Sequence, residues 1–167
     1  INLSLNVSFE KTMEKDYDLI LYSGTIDQFF DFEFGQLSYR TVYWEKHTCD
    51  GYFQGNAVIN YTTEDKPYTR INEPIYFEPW KEQLPKGQSI YFKEYSKKTG
   101  TSDTPYYPIR RKEDLFQLSL YQKRLSSKEF SKFIFHGRLG MYKYLDMDMT
   151  IDESAALSGQ LEERFLK

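Results

Sequence analysis

Arginine, tyrosine and carboxylate side chains stand at the ends of strand-like runs and beside prolines in this sequence. Arg40 follows Tyr39, and Arg70 ends Pro67-Tyr68-Thr69-Arg70. Glu94 sits in Phe92-Lys93-Glu94-Tyr95, and Tyr107 in Pro105-Tyr106-Tyr107-Pro108. Arg138 follows Gly137, and Tyr144 and Asp146 close Tyr142-Lys143-Tyr144-Leu145-Asp146. A guanidinium is planar, permanently charged and suited to phosphate oxygens. A phenol hydroxyl donates to the same oxygens. Three arginines and two tyrosines brought together would suit a diphosphate. Taken singly each is weak: an arginine on a strand is usually a solvated cation or a surface ion pair. A tyrosine before proline usually packs, and Glu94 and Asp146 would usually be solvated. His47 and His136 are read as structural.

Other chemistry is missing from the sequence. No Gly-x-Gly-x-x-Gly run, phosphate loop or metal-ligand spacing is present, so a complete dinucleotide-binding unit is not encoded here. One cysteine, Cys49, excludes an internal disulfide and a thiolate metal site, which fits a reducing cytoplasm. A formal charge of -3 argues against a nucleic-acid surface. No apolar run approaches a membrane span. The chain opens on Ile1 inside a strand-like run without a signal-peptide pattern, and is read as a piece of a longer protein. Aromatic residues make up 18%, with 15 Tyr and 13 Phe. They would serve either a thick sheet core or a phenol-lined binding surface.

The elements that would position these groups follow from periodicity. Residues 2–8 alternate polar and apolar, which predicts a half-buried strand. Residues 17–23 form an apolar run ending at Gly24, predicting a buried, parallel strand. Thr25 or Asp27 would cap a short helical turn stopped by Gly35. Residues 38–48 and 52–62 read as strands joined at Cys49-Asp50-Gly51, a hairpin signal. Further strands are expected at 69–77 and 88–96, with a polar loop over 79–87 and another over 97–104. A helix is expected at 111–126, with acids early, bases late, and Leu115, Leu118, Tyr121 and Leu125 on one face. A short strand at 131–135 and a helix from about Met147, carrying Ile151, Ala155, Leu161 and Phe165, complete the series. The pattern predicts an α+β fold with a mainly antiparallel sheet and flanking helices.

Six segments, in order, carry a resemblance. They are Tyr22-Ser23-Gly24-Thr25-Ile26-Asp27-Gln28-Phe29-Phe30, Phe53-Gln54-Gly55-Asn56-Ala57-Val58-Ile59-Asn60, Pro67-Tyr68-Thr69-Arg70-Ile71, Lys93-Glu94-Tyr95, Pro105-Tyr106-Tyr107-Pro108, and Gly137-Arg138-Leu139 with Tyr142 to Met147. Over roughly residues 16–157 the chain resembles the C-terminal portion of the UDP-galactopyranose mutases. The resemblance implies an antiparallel sheet of about six strands over 29–130, which bears the substrate. It implies that 1–28 and 131–167 are the strand and helix ends of a Rossmann-like FAD domain. It implies an isomerase that interconverts UDP-galactopyranose and UDP-galactofuranose through a reduced-flavin N5–sugar adduct, for cell-surface polysaccharide such as lipopolysaccharide.

On the same ground the roles can be carried over. Arg70 resembles the arginine between the diphosphate and the flavin, and Tyr107 and Tyr144 resemble the diphosphate tyrosines. Glu94 and Asp146 resemble acids beside the galactose, and Arg40 an arginine near the cleft. Gly24, Arg138, Asp146 and Met147 resemble the segments touching FAD. Arg70, Glu94 and Asp146 are thus the implied catalytic set, with UDP-galactose as partner and a homodimer compatible with the resemblance. The fragment alone would be inactive. Thr25 stands where the family has proline, His136 where it has glycine, and Asn72 with Pro74-Ile75-Tyr76 depart from its pattern. Those changes motivate the alternative of a non-catalytic nucleotide-sugar-binding domain.

Overall fold

The computed structural model describes residues 1–77 and 87–165. The loop expected over 79–87 lies outside the described residues except for Gly87. The chain forms two compact units, residues 39–106 and residues 1–38 together with 107–167.

The middle unit is built on two long strands. β2 (Tyr39–Asp50) and β5 (Gln88–Lys98) run antiparallel, in unbroken register from Arg40 opposite Lys98 to Asp50 opposite Gln88. β4 (Arg70–Asn72) pairs with the other edge of β5, and β3 (Val58–Asn60) with β4. The sheet order is β3-β4-β5-β2-β6, where β6 is the two-residue Tyr107–Pro108. The fold is therefore α+β with an antiparallel sheet, as the pattern predicts, of five strands among the described residues.

The Asp50-Gly51 signal is a turn but not a hairpin. β2 pairs with β5, and the Gly51 N–H donates to the Gly87 carbonyl at 2.7 Å. Residues 52–57 instead form a loop held by Glu73, which is fully buried. Its carboxylate accepts the N–H groups of Phe53 and Gln54, both at 2.9 Å, and the Ser89 hydroxyl at 2.6 Å. Burial alone would raise the Glu73 pKa. The Ser89 hydroxyl and the N–H groups of Gln54, Phe53 and Gly55 outweigh burial and hold it below the usual carboxylate range. The strand expected at 69–77 stops at Asn72, because Pro74 at the first position of a 3-10 turn cannot donate to a ladder.

The terminal unit is aromatic. β1 (Ile20–Tyr22) pairs in parallel with β7 (Phe133–Phe135), as the apolar run at 17–23 predicts. The strand is only half buried, however, with Leu21 54% exposed. α1 (Ile26–Phe29) places Phe29 among Phe9, Tyr22, Phe30, Phe130, Phe133 and Phe135, with ring centroids 4.9–6.1 Å away. Each such buried ring contributes about 1.5–3 kcal/mol by leaving water. Thr25, the N-cap residue of α1, makes no side-chain cap bond, whereas Asp27 Oδ1 accepts the Gln28 N–H on the first turn at 3.0 Å. Asp27 Oδ2 also accepts the Leu37 N–H at 2.9 Å, and Gly35 at φ +92° closes the following turn.

α2 (Lys112–Leu125) matches the expected helix, with Asp114 reaching back to the Arg111 N–H at 2.8 Å. Leu118 and Tyr121 are buried, but Leu115 is exposed. α3 (Gly137–Gly140) approaches β1 closely: a Cβ at Gly140 would stand 2.8 Å from the Tyr22 carbonyl oxygen. α4 (Met147–Phe165) forms where expected, and its Ile151 and Ala155 are exposed. The side chain of Phe165 lies outside the described part. Residues 2–8 form no strand, since the alternation there has no partner strand, and Leu3, Leu5 and Val7 are exposed.

Candidate active site

In the middle unit one row of side chains crosses three strands. Arg70 on β4 stands opposite Glu94 on β5, which stands opposite Trp44 on β2. Side chains alternate across a strand, so Arg40 and Trp44 share this face with Glu94, Ser96 and Arg70. The structure thus brings Arg40, Arg70 and Glu94 to one sheet face. Glu94 is not the solvated acid that its type suggests, being only 9% exposed. Its Oε1 lies 3.1 Å from the Arg70 Nε, an ion-pair contact whose angle falls short of a hydrogen bond. The Thr69 hydroxyl also reaches Oε1, at 3.3 Å, and the Trp44 indole N–H donates to Oε2 at 3.1 Å. Arg70 itself is 42% exposed along its side chain although its Nε is buried. Arg40 is exposed and donates from Nε to the Ser96 hydroxyl at 2.7 Å.

The opposite face of the same strands is phenolic. Tyr43 stacks on Tyr95, and the Tyr95 hydroxyl donates to Glu45 at 2.7 Å. That hydrogen bond, followed by desolvation, pushes the Tyr95 pKa up to about 12, so the ring stays neutral.

In the terminal unit Tyr107, Tyr144 and Arg138 converge. The two rings lie 5.7 Å apart at 25°, and the Arg138 guanidinium carbon sits 4.6 Å from the Tyr107 centroid and 5.5 Å from that of Tyr144. A guanidinium over a ring face is attracted by its quadrupole. Arg138 also donates from Nε to the Leu145 carbonyl at 3.0 Å, and its Nη2 reaches the same oxygen. The segment is anchored on both sides of Tyr144. Tyr142 is fully buried, with its hydroxyl on the Ser38 carbonyl at 2.7 Å, and Leu145 is buried. Tyr144 is left 57% exposed. Asp146 leads into α4, its carbonyl accepting the Thr150 N–H at 3.0 Å, and Met147 is exposed.

Gly24, Arg138, Asp146 and Met147, which the resemblance gives to FAD, all belong to this unit. They combine a guanidinium whose partners are neutral rings and a carbonyl with the start of a helix of 19 residues, where the first N–H groups have no intrahelical partner. Such a donor set fits phosphate or the carbonyl edge of a flavin. His136, in place of the family's glycine, contacts the Ser154 hydroxyl at 2.9 Å, which ties the start of α3 to α4. Gly24 also borders an open cavity of about 750 Å³, lined by Phe9, Tyr22 and Gln28 among others. Among the described residues no cluster of His, Cys, Asp or Glu could hold a metal ion, and no helix is long and apolar enough to cross a membrane.

Sequence reading missed Trp44 and Thr69 as partners of Glu94. Their signal is the register of β5 on β2 and β4, and no local pattern carries it.

Comparison with known proteins identifies the family. A family model described as UDP-galactopyranose mutase matches residues 1–144. A Klebsiella pneumoniae protein named as a probable UDP-galactopyranose mutase is 46% identical over 155 residues, covering 92% of this chain and 39% of its own length. A dTDP-fucopyranose mutase of Escherichia coli is 42% identical, covering 87% of this chain and 37% of its own length. A UDP-galactopyranose mutase of Mycoplasma pneumoniae is 30% identical, covering 85% and 36%. The chain therefore spans less than two fifths of the length of these relatives.

Proposed function

The chain belongs to the UDP-galactopyranose mutase family, and we propose that it is the substrate-bearing C-terminal portion of an isomerase that interconverts UDP-galactopyranose and UDP-galactofuranose. The observation that carries this reading is the Arg70–Glu94 pair, in which a half-exposed guanidinium leans on a buried carboxylate at 3.1 Å. Residues 29–130 are proposed to bear the substrate, and 1–28 and 131–167 to close the cofactor domain.

Arg70 binds the diphosphate as it departs and returns, so its charge is compensated in both states. Tyr107 and Tyr144 donate hydroxyls to phosphate oxygens, and Arg40 adds positive charge on the sheet face of Arg70. The carboxylates of Glu94 and Asp146 stabilise positive charge that develops at the anomeric carbon when UDP leaves. FAD would be held by Gly24, Arg138, Asp146 and Met147 together with the rest of the protein, and when bound and reduced it supplies the nucleophile for that carbon. The chain by itself does not turn over. The full-length protein would act in the cytoplasm as a homodimer and supply galactofuranose for lipopolysaccharide or a related cell-surface polysaccharide.

The relative named dTDP-fucopyranose mutase supports a second reading, in which the nucleotide sugar is a dTDP-6-deoxyhexose. One assay separates the readings. The full-length protein is chemically reduced and given UDP-galactofuranose or dTDP-fucofuranose, and products are resolved by chromatography. Conversion of the first, reduced about a hundredfold or more by Arg70→Ala without loss of folding, is expected. Conversion of the second alone would move the substrate. Tight UDP binding with no conversion of either would leave a nucleotide-sugar-binding domain.

A further inference from the structure

We infer that Trp44 and Thr69 are positioning residues for this isomerisation: together they fix the Glu94 carboxylate, and through it the direction in which Arg70 presents its guanidinium. The inference rests on the proposed mutase reading and deepens it, since neither residue touches the substrate in that scheme.

Arg70 sits at the start of three-residue β4 and is 42% exposed along its side chain. A long side chain so exposed samples many rotamers, and ordering it costs about 1.5–2 kcal/mol in entropy. A single ion pair to a mobile carboxylate would not hold it, because exposed pairs of that kind contribute little. Glu94 is different because it cannot turn. Its Oε2 is held by the Trp44 indole N–H at 3.1 Å, and its Oε1, at 3.3 Å, shares the single Thr69 hydroxyl proton with the Glu94 carbonyl at 3.2 Å. With one donor on each oxygen, the carboxylate plane is set before Arg70 Nε meets it at 3.1 Å.

Both holders are themselves held. The Trp44 ring meets Tyr106 edge-on, with centroids 6.0 Å apart at 84°. Thr69 donates its backbone N–H to the Glu94 carbonyl at 2.8 Å, which fixes the residue beside the carboxylate. Packing alone does not account for the tryptophan, which is 45% exposed on its strand. Its N–H is directed at one oxygen of a buried acid. The row Arg70, Glu94, Trp44 lies perpendicular to three strands joined by continuous ladders, so its geometry is as stiff as the sheet.

The test uses the full-length, chemically reduced enzyme with UDP-galactofuranose, measuring kcat, KM and thermal midpoint. Trp44→Phe keeps the ring and removes the N–H. Thr69→Val keeps the branched shape and the backbone bond, whereas Thr69→Ser keeps the hydroxyl. Trp44→Phe and Thr69→Val are each expected to lower kcat about tenfold, the size of one lost charge-assisted hydrogen bond. KM should change by less than about threefold, because the loss falls on the departing diphosphate. Thr69→Ser should turn over like the parent enzyme. In a Glu94→Gln background Trp44→Phe should do little more, because the two changes act through one carboxylate.

Unchanged kcat in both Trp44→Phe and Thr69→Val, with the parent active, overturns this inference alone. So does a tenfold loss that repeats in full on the Glu94→Gln background, since Trp44 then acts by another route. If Trp44→Phe fails to fold, the Thr69→Val and Thr69→Ser pair decides the matter. A parent enzyme that converts neither nucleotide sugar removes the mutase reading, and this inference with it.

Discussion

Arg70 and Arg138 are held in opposite ways, and so are the units around them. Arg70 leans on a buried carboxylate, and the pair is close to neutral as a whole. Arg138 leans on two phenol faces and a carbonyl, none of which cancels its charge. The first arrangement fixes direction and gives up field. The second keeps a full positive charge available to an anion and gives up rigidity, since Tyr144 is largely in solvent. The same division extends outward. Two buried acids, Glu73 and Glu94, organise loops and strands in the middle unit. The terminal unit is organised by packed rings around Phe29, while its buried acids Asp27 and Asp114 accept backbone N–H groups at turns.

Stability measurements on the protein can break or sharpen this contrast. Phe29→Ala should have the largest effect, about 4 kcal/mol, because it leaves a cavity among rings that cannot all close in. Urea denaturation with near-UV circular dichroism would read it. A loss below about 1 kcal/mol would mean that the ring cluster does not hold the terminal unit.

Glu73→Gln should come next, at about 2–3 kcal/mol, since an amide cannot serve both N–H donors and the Ser89 hydroxyl as a carboxylate does. The sign with pH follows from its depressed pKa. Its contribution is present above the ordinary carboxylate range and is lost as pH falls through the folded value. Acid titration of unfolding should therefore be shallower in Glu73→Gln than in the parent.

Tyr142→Phe should cost about 1 kcal/mol at neutral pH through the lost bond to Ser38. Burial, the largest cause, pushes the Tyr142 pKa from 10.0 up to about 12. A raised value stabilises fully below the unfolded pKa and is lost as pH rises towards the folded one. The parent should thus lose stability between about pH 10 and 12, a loss that Tyr142→Phe reduces. Tyr144→Phe should be smallest, within about 0.5 kcal/mol, because the ring edge lies in water. A larger loss would show that the Arg138 cluster is as tightly built as the Glu94 row.

Legibility followed locality. α2 and α4 were readable because charge placement and helical period lie within the segment itself. β1 was readable as parallel from its apolar run, although its burial was overestimated. The supposed hairpin at Asp50-Gly51 failed because a turn signal says where the chain bends, not which strand it meets. The partner of β2 comes some forty residues later, as β5. The apolar residues of α4 show a related limit: periodicity gives a stripe, and only a neighbour decides whether the stripe is covered. Of the site, Arg70 and Glu94 were visible as types in motifs. Their contact, and the donors Trp44 and Thr69 around it, depend on cross-strand register.

The parallel ladder between β1 and β7 joins residues more than a hundred positions apart. A ribosome adding about 5–20 residues per second would need roughly 6–20 seconds to make the stretch between them. Through that interval Tyr22 and Phe29 have emerged without Phe133 and Phe135, the rings that enclose them. The antiparallel sheet closes its farthest long-strand pair, Arg40 to Lys98, after about half that interval. The terminal aromatic half is thus the part of a nascent chain that a chaperone would shelter, and the part that premature termination before residue 133 would leave without its closing strand.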